Sequence, residues 1–241
     1  ALTLDMSDAG TAVFNNNIGI GTSSPTGTGW QSGAKTLHIN QNSTNGALLR
    51  LTSSNTDAIV GAFNNVMQVG TIGADPLAFY TNSAETMRID AIGAVTMPLQ
   101  PAFSVNKGGT NQNNLAVGSD VTITFDTERF DQNADFNLGA NSFTAPVTGK
   151  YMLSSTIRLE NLDSAAAYYI PMIKTSNQIY RFIFDPDFGQ DAVYWTVSVS
   201  VLADMDASDT AFISYNQGAG SAQTDASGDD DYTFFTGYLA C

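Results

Sequence analysis

Residues 193–202 read VYWTVSVSVL, an unbroken alternation of apolar and polar side chains. Successive side chains of an extended chain point to opposite faces, so Val193, Trp195, Val197, Val199 and Val201 share one face. Tyr194, Thr196, Ser198 and Ser200 take the other. VTITF repeats the pattern with Val121, Ile123 and Phe125, and TAFISY sets Ala211, Ile213 and Tyr215 opposite Phe212 and Ser214. Almost nothing in the chain has helical periodicity, and turn residues punctuate the strands at the spacing of an all-β sandwich or barrel. The chain is therefore expected to be all-β.

At 241 residues there is room for one large or two modest domains. Charged residues make up 13% of the chain, about half the usual share, so Asn, Thr, Ser, Gln and Gly must form most of the surface. The net charge of −14 is uneven: residues 1–100 hold six acids against three bases, and residues 101–241 hold 17 against six. No cationic face can be assembled from so few bases, which argues against nucleic acid and against insertion into an anionic membrane. No apolar run reaches the length of a spanning helix. The opening ALTLDMSDAG has neither an initiator Met nor a leader pattern, and we read the chain as a fragment of a longer one. Cys241 is the only cysteine, so stability must come from core burial or from self-association.

Residues 1–100 have shorter strands and more Gly and Asn than the rest. LTLDMSDAGTAVF, LHINQNSTNGALLRL and MRIDAIGAVTM each read as two apolar strands around a polar turn, with Leu4-Asp5, Ile39-Asn40 and Ile89-Asp90 followed by Gly10, Gly46 and Gly93. Asx side chains bond the backbone ahead of them and Gly accepts positive φ, so the pattern specifies hairpins. A lone hairpin is marginal in water. Pairing with other chains would supply the missing core.

NNNIGIGTSSP (15–25), KTLHI (35–39) and LAFYTNSAETMRIDAIGAVTM (77–97) resemble repeats of phage tail fibres. The resemblance implies an intertwined homotrimeric β stalk of repeated hairpins over 1–100, although similar Gly/Asn-rich hairpins occur in many bacterial surface proteins. PAFSV (101–105), ITFDTERFDQNADFN (123–137) and SFTAPVTGKYML (142–153), with Phe143, Pro146, Gly149 and Tyr151, resemble the globular head of complement component 1q and its tumour-necrosis-factor-like relatives. The last stretch, DDDYTFFTGYLAC, matches that family's final strand through Thr233, Phe235, Gly237, Tyr238 and Leu239. The resemblance implies that 101–241 is a ten-stranded jelly-roll β-sandwich forming a compact homotrimer, with the final strand central in the inner sheet. The acidic loop GAGSAQTDASGDDD (218–231) departs from the family's pattern. Alternation then puts Thr233, Phe235, Gly237 and Leu239 in the core and leaves Tyr232, Phe234, Thr236 and Tyr238 facing out. Phe234, Tyr238 and Tyr232 are the expected trimer interface.

No catalytic residues are expected and the chain is read as a non-enzyme. His38, the only histidine, sits in the alternating strand KTLHI, and GIGTSSP lacks the Lys and the setting of a phosphate loop. Three aspartate clusters, Asp185/Asp187/Asp191, Asp204/Asp206/Asp209 and Asp229/Asp230/Asp231, offer the paired carboxylates of a glycosidase, but solvated turn aspartates explain them more simply. An EF-hand starting at Asp185 fails because Thr196 stands where the terminal Glu belongs. No cofactor is expected apart from calcium, for which Asp229, Asp230 and Asp231 are the candidate ligands. Tyr168, Tyr169, Asn177, Tyr180 and Phe188 are candidate ligand-binding residues able to stack on sugar rings, or equally core or interface residues. The expectation is the distal part of a tail fibre on a virion, binding a bacterial surface glycan or protein receptor. The alternatives are a structural trimerisation tip, a secreted adhesin or, less favoured, a polysaccharide depolymerase.

Overall fold

The computed structural model describes residues 18–20, 37–39, 46–63, 65–185 and 187–241. The hairpin expected at the N-terminus and most of 15–36 lie outside the described residues, as does the turn of LHINQNSTNGALLRL. The chain divides into two units, Ala1–Met97 and Pro98–Cys241. Every regular element among the described residues is a strand.

In the first unit, β1 (Ile18–Ile20) pairs parallel with β2 (Leu37–Ile39). Strands β3 (Ala47–Thr52), β4 (Asp57–Phe63) and β5 (Val66–Ile72) form one antiparallel meander, and β6 (Leu77–Thr81), β7 (Ala84–Ile89) and β8 (Val95–Thr96) form another. Local chemistry sets the turns. Asn82 and Ser83 both take positive φ, the conformation that suits a two-residue hairpin. Beyond β7, Asp90 Oδ1 accepts from Ile92 N and Ala94 N at 3.0 and 2.8 Å while Gly93 adopts φ 90°. Register assigns the faces. Leu49, Val60 and Val69 lie in one row across β3–β5, flanked by Ala47, Ala62 and Met67 and by Leu51, Ala58 and Thr71, so that face is apolar. The opposite face carries the Arg50–Asp57 ion pair. In the second meander Leu77, Ile89 and Val95 form a row beside Phe79 and Met87, with the Arg88–Glu85 pair on the other side. Neither apolar face is closed: none of the residues of β3–β8 is buried.

The second unit contains β9 (Ala102–Asn106), β10 (Val121–Thr122), β11 (Thr127–Asp131), β12 (Phe136–Asn137), β13 (Ser142–Thr144), β14 (Gly149–Leu162), β15 (Tyr168–Thr175), β16 (Ile179–Arg181), β17 (Ala192–Met205), β18 (Thr210–Gly218), β19 (Asp225–Ala226) and β20 (Phe234–Leu239). They build two six-stranded sheets: β12-β13-β18-β15-β16 with β10 on β18, and β11-β9-β20-β14-β17 with β19 on β14. This is a jelly roll. The ten strands implied by resemblance become twelve segments, three of them two residues long. Alternation fills the interior: Tyr151, Leu153, Ser155, Ile157 and Leu159 of β14 are all buried, as are Ala211, Ile213 and Tyr215 of β18. Phe103, Phe143 and Phe235 form the aromatic centre, with Phe103 stacked on Phe143 at 4.8 Å and edge-on to Phe235 at 4.9 Å.

β20 runs between β9 and β14, which is why so aromatic a segment is ordered at this position. Thr233, Phe235 and Gly237 face the core, while Tyr232 and Tyr238 are exposed and Phe234 and Thr236 half-buried. Gly237 is required by packing, since a Cβ there would lie 2.7 Å from both Leu153 Cδ2 and Phe103 Cε1. The loop 218–231 is less exposed than its composition suggests. Its Ser221 and Ala222 amides donate to buried Asp163 at 2.6 and 2.8 Å, and Thr224, Ala226 and Ser227 are buried.

Candidate functional site

One end of the jelly roll carries a groove of about 480 Å³ lined by Asn177, Gln178, Tyr180, Asp204 and Asp206. It lies between β16, the edge of one sheet, and the end of β17, the edge of the other. Two tight turns build its wall. In the β15–β16 turn, Thr175 N donates to Gln178 O at 2.8 Å and Gln178 N to Thr175 Oγ1 at 3.0 Å. In the β17–β18 turn, Asp206 N donates to Asp209 Oδ2 at 2.8 Å. The turns are tied together: Asn177 Nδ2 donates to the same Asp209 oxygen, and Thr210 N donates to Ser176 Oγ at 2.8 Å. Lys150 holds Asp204 at 2.5 Å, and Thr148 Oγ1 lies 3.4 Å from Asp206 Oδ1. Tyr180 packs against the core cluster, so its ring has a fixed base. A second groove of about 520 Å³ shares Asn177 and Gln178 and is also lined by Lys174, Arg181 and Phe212. Lys174 is already engaged by Asp120 at 2.7 Å, and that bond holds the Asp120 carboxyl below its usual range.

The five expected ligand residues therefore separate. Asn177 and Tyr180 meet in the groove. Tyr169 does not belong to a binding surface: it is fully buried, its hydroxyl donates to Asp163 O at 2.8 Å, and its burial pushes the phenol pKa up. Its ring begins an aromatic ladder in which Phe184 stacks on Tyr169 at 5.3 Å and on Trp195 at 6.1 Å, with Phe188 tilted against Trp195 at 5.3 Å. Phe188 thus packs against the core cluster, and Tyr168 lies across Gly218, whose added Cβ would meet its ring at 2.3 Å. The aspartate clusters also separate. Asp191 accepts from both Ser164 N and Ser164 Oγ, at 2.9 and 2.6 Å, and these bonds lower its pKa. Asp204 sits in β17 rather than in a loop.

On the outward face of the β20 sheet, Leu202, Met152, Tyr238 and Ala102 form one row across four strands. Leu202 and Tyr238 remain 57% and 53% exposed. Tyr232 and Phe234 are covered in part by arginines that sequence reasoning did not single out: Arg158 lies 4.4 Å from the Tyr232 ring centre and Arg129 5.4 Å from that of Phe234. The same arginines reach the acidic run, Arg158 to Asp229 and Arg129 to Asp231, each at 3.7 Å. Carboxylate oxygens of Asp229, Asp230 and Asp231 lie within 4.8 Å of one another and are exposed. The donor set suits a hard cation. Any such ion would share the cluster with two guanidinium groups.

Solved structures with a similar arrangement include the globular domain of zebrafish complement 1qA, at 21% identity over 59% of this chain and 98% of that one with a TM-score of 0.43. Murine APRIL is similar at 10% identity over 58% and 98% with a TM-score of 0.43. No curated protein sequence matches the chain. The profile of the C1q domain matches residues 102–240, more than half of the chain and nearly all of its second unit, and on that match the chain belongs to the C1q domain family.

Proposed function

We propose that the chain is a homotrimeric adhesion module, the distal part of a phage tail fibre whose C1q-type head binds the bacterial surface. One observation carries the self-association: the two sheets β3–β5 and β6–β8 have an apolar face each and no buried residue. Apolar faces of that kind are not stable in water without a covering layer. Identical copies are the covering layer that needs no further gene product, and the Leu202–Met152–Tyr238–Ala102 row gives the head a matching apolar contact. Three copies would present three equivalent sites on one particle, so that weak individual contacts gain avidity from high effective concentration. The fibre setting rests on the tail-fibre character of residues 77–97.

Sedimentation equilibrium of the full chain, followed by adsorption of the labelled protein to a panel of bacterial cells, tests this reading. A trimer that adsorbs to a subset of strains supports it. A stable folded monomer refutes it. The outward apolar row also favours a second reading, a structural tip that only brings three chains together, and deletion of residues 98–241 separates the two. Loss of trimers without the head supports the tip, whereas trimers that no longer adsorb support adhesion.

A further inference from the structure

Resting on the adhesion reading, we infer that the groove of Asn177, Gln178, Tyr180, Asp204 and Asp206 is the glycan subsite of the head and that it takes non-acidic saccharides. The volume of about 480 Å³ falls in the range of about 300–1,000 Å³ usual for small-molecule sites. Among the described residues its lining has no aliphatic side chain, which argues against a lipid or an apolar peptide side chain. What it offers is the set a sugar ring needs. Each side-chain amide supplies donors and an acceptor, each carboxylate supplies acceptors only, and together they match adjacent hydroxyls that both donate and accept. The Tyr180 ring, fixed from below by the core, supplies an apolar face for the C–H side of a pyranose.

Charge sets the selectivity. Asp204 and Asp206 line the groove and Asp209 stands behind Asn177, so uronates and phosphorylated sugars meet like charge. Lys150 offsets only Asp204. The two turns that carry Asn177 and Asp206 are bonded to each other, so binding does not have to order a loose loop, which keeps the entropic cost low.

The experiment uses the full chain, with calorimetry against three probes: N-acetylglucosamine tetramer, glucosamine tetramer and galacturonate tetramer. The wild type is expected to bind one or both of the first two and to bind galacturonate at least tenfold more weakly. Asn177→Ala combined with Asp206→Asn should weaken the bound probe at least tenfold while leaving the sedimentation coefficient unchanged. Tyr180→Leu, which keeps an apolar side chain at the base of the groove, should do the same. Equal binding by wild type and both variants overturns the inference, as do preference for galacturonate and absence of binding at millimolar probe. If the groove variants adsorb to cells as well as wild type, the groove assignment fails and adhesion stands. If the wild-type protein is monomeric and does not adsorb, the adhesion reading itself has failed.

Discussion

Replacing Phe234 and Tyr238 together by Thr keeps β propensity on β20 and removes two rings from its outward face. Tyr238 is 53% exposed in the single chain, and an aromatic side chain offers about 150–250 Å² for burial, so roughly 100 Å² of it remains to be covered. At about 25 cal/mol per Å² this is about 2.5 kcal/mol, and the smaller exposed part of Phe234 adds about 1 kcal/mol. Three copies give about 10 kcal/mol, which we halve to about 5 kcal/mol for incomplete coverage and desolvation of the tyrosine hydroxyl. That lowers the trimerisation constant by more than about three decades. Because trimerisation is third order in chain, the concentration at half-assembly should rise by about the square root, some 50-fold. Sedimentation equilibrium over a dilution series reads this directly. Phe235→Ala is the internal control. It is fully buried and edge-on to Phe103, so it should cost about 3–5 kcal/mol of head stability whatever the assembly state. A half-assembly concentration within threefold of wild type would refute the face assignment, and so would a double variant that loses as much thermal stability as Phe235→Ala.

Gly237→Ala should destabilise the head by about 1–3 kcal/mol through overpacking against Leu153 and Phe103, measured by chemical denaturation. Asp163 accepts from Ala222, Ala165 and Ser221 amides, which lower its pKa; its contribution is complete above the ordinary Asp range and lost as pH falls through the folded value, so Asp163→Ala should lower the melting temperature at neutral pH and converge with wild type in acid. Asp135 has the opposite sign. Burial, then the charge of Asp131, raise its pKa, and its Oδ2 is buried without a hydrogen-bond partner. The folded state then holds the proton more tightly, and stability falls as pH rises through the folded value. Asp135→Asn should therefore raise the melting temperature near neutral pH, with the difference vanishing at low pH. Millimolar calcium should raise the melting temperature of Arg129→Ala more than that of wild type, because the variant frees Asp231 from its guanidinium partner; no shift in either protein would count against an ion at the Asp229–Asp231 cluster.

The all-β class and the two faces of β20 were legible because strand alternation is a local property. Phe235 and Tyr238 differ by an odd number of positions, and that parity alone sends one ring inward and the other outward. The Asp90–Gly93 turn was legible for the same reason: its hydrogen bonds reach at most four residues. The pair Tyr168-Tyr169 was not. Parity says the two rings oppose each other but not which one enters the core, and the choice is made by Phe184, Tyr215 and Asp163 on other segments. The stacking of Arg129 and Arg158 on Phe234 and Tyr232 joins residues about a hundred and about seventy positions apart. The groove has the same character. Asn177 and Asp206 are brought together by turns of two different sheets through Asp209, and no spacing in the sequence encodes that meeting.

On the proposed self-association, the uncovered sheets of the first unit make dilution a stronger denaturant for one part of the chain than for the other. The jelly roll closes its own interior around Phe103, Phe143 and Phe235, so only the part of its stability that comes from the Tyr238 face should vary with protein concentration. β3–β5 and β6–β8 have no interior of their own among the described residues, so in the proposed trimer their ordering would be a multimolecular reaction whose whole stability depends on concentration. Calorimetric scans at two loadings, a hundredfold apart, should move the transition of the first unit further than that of the head.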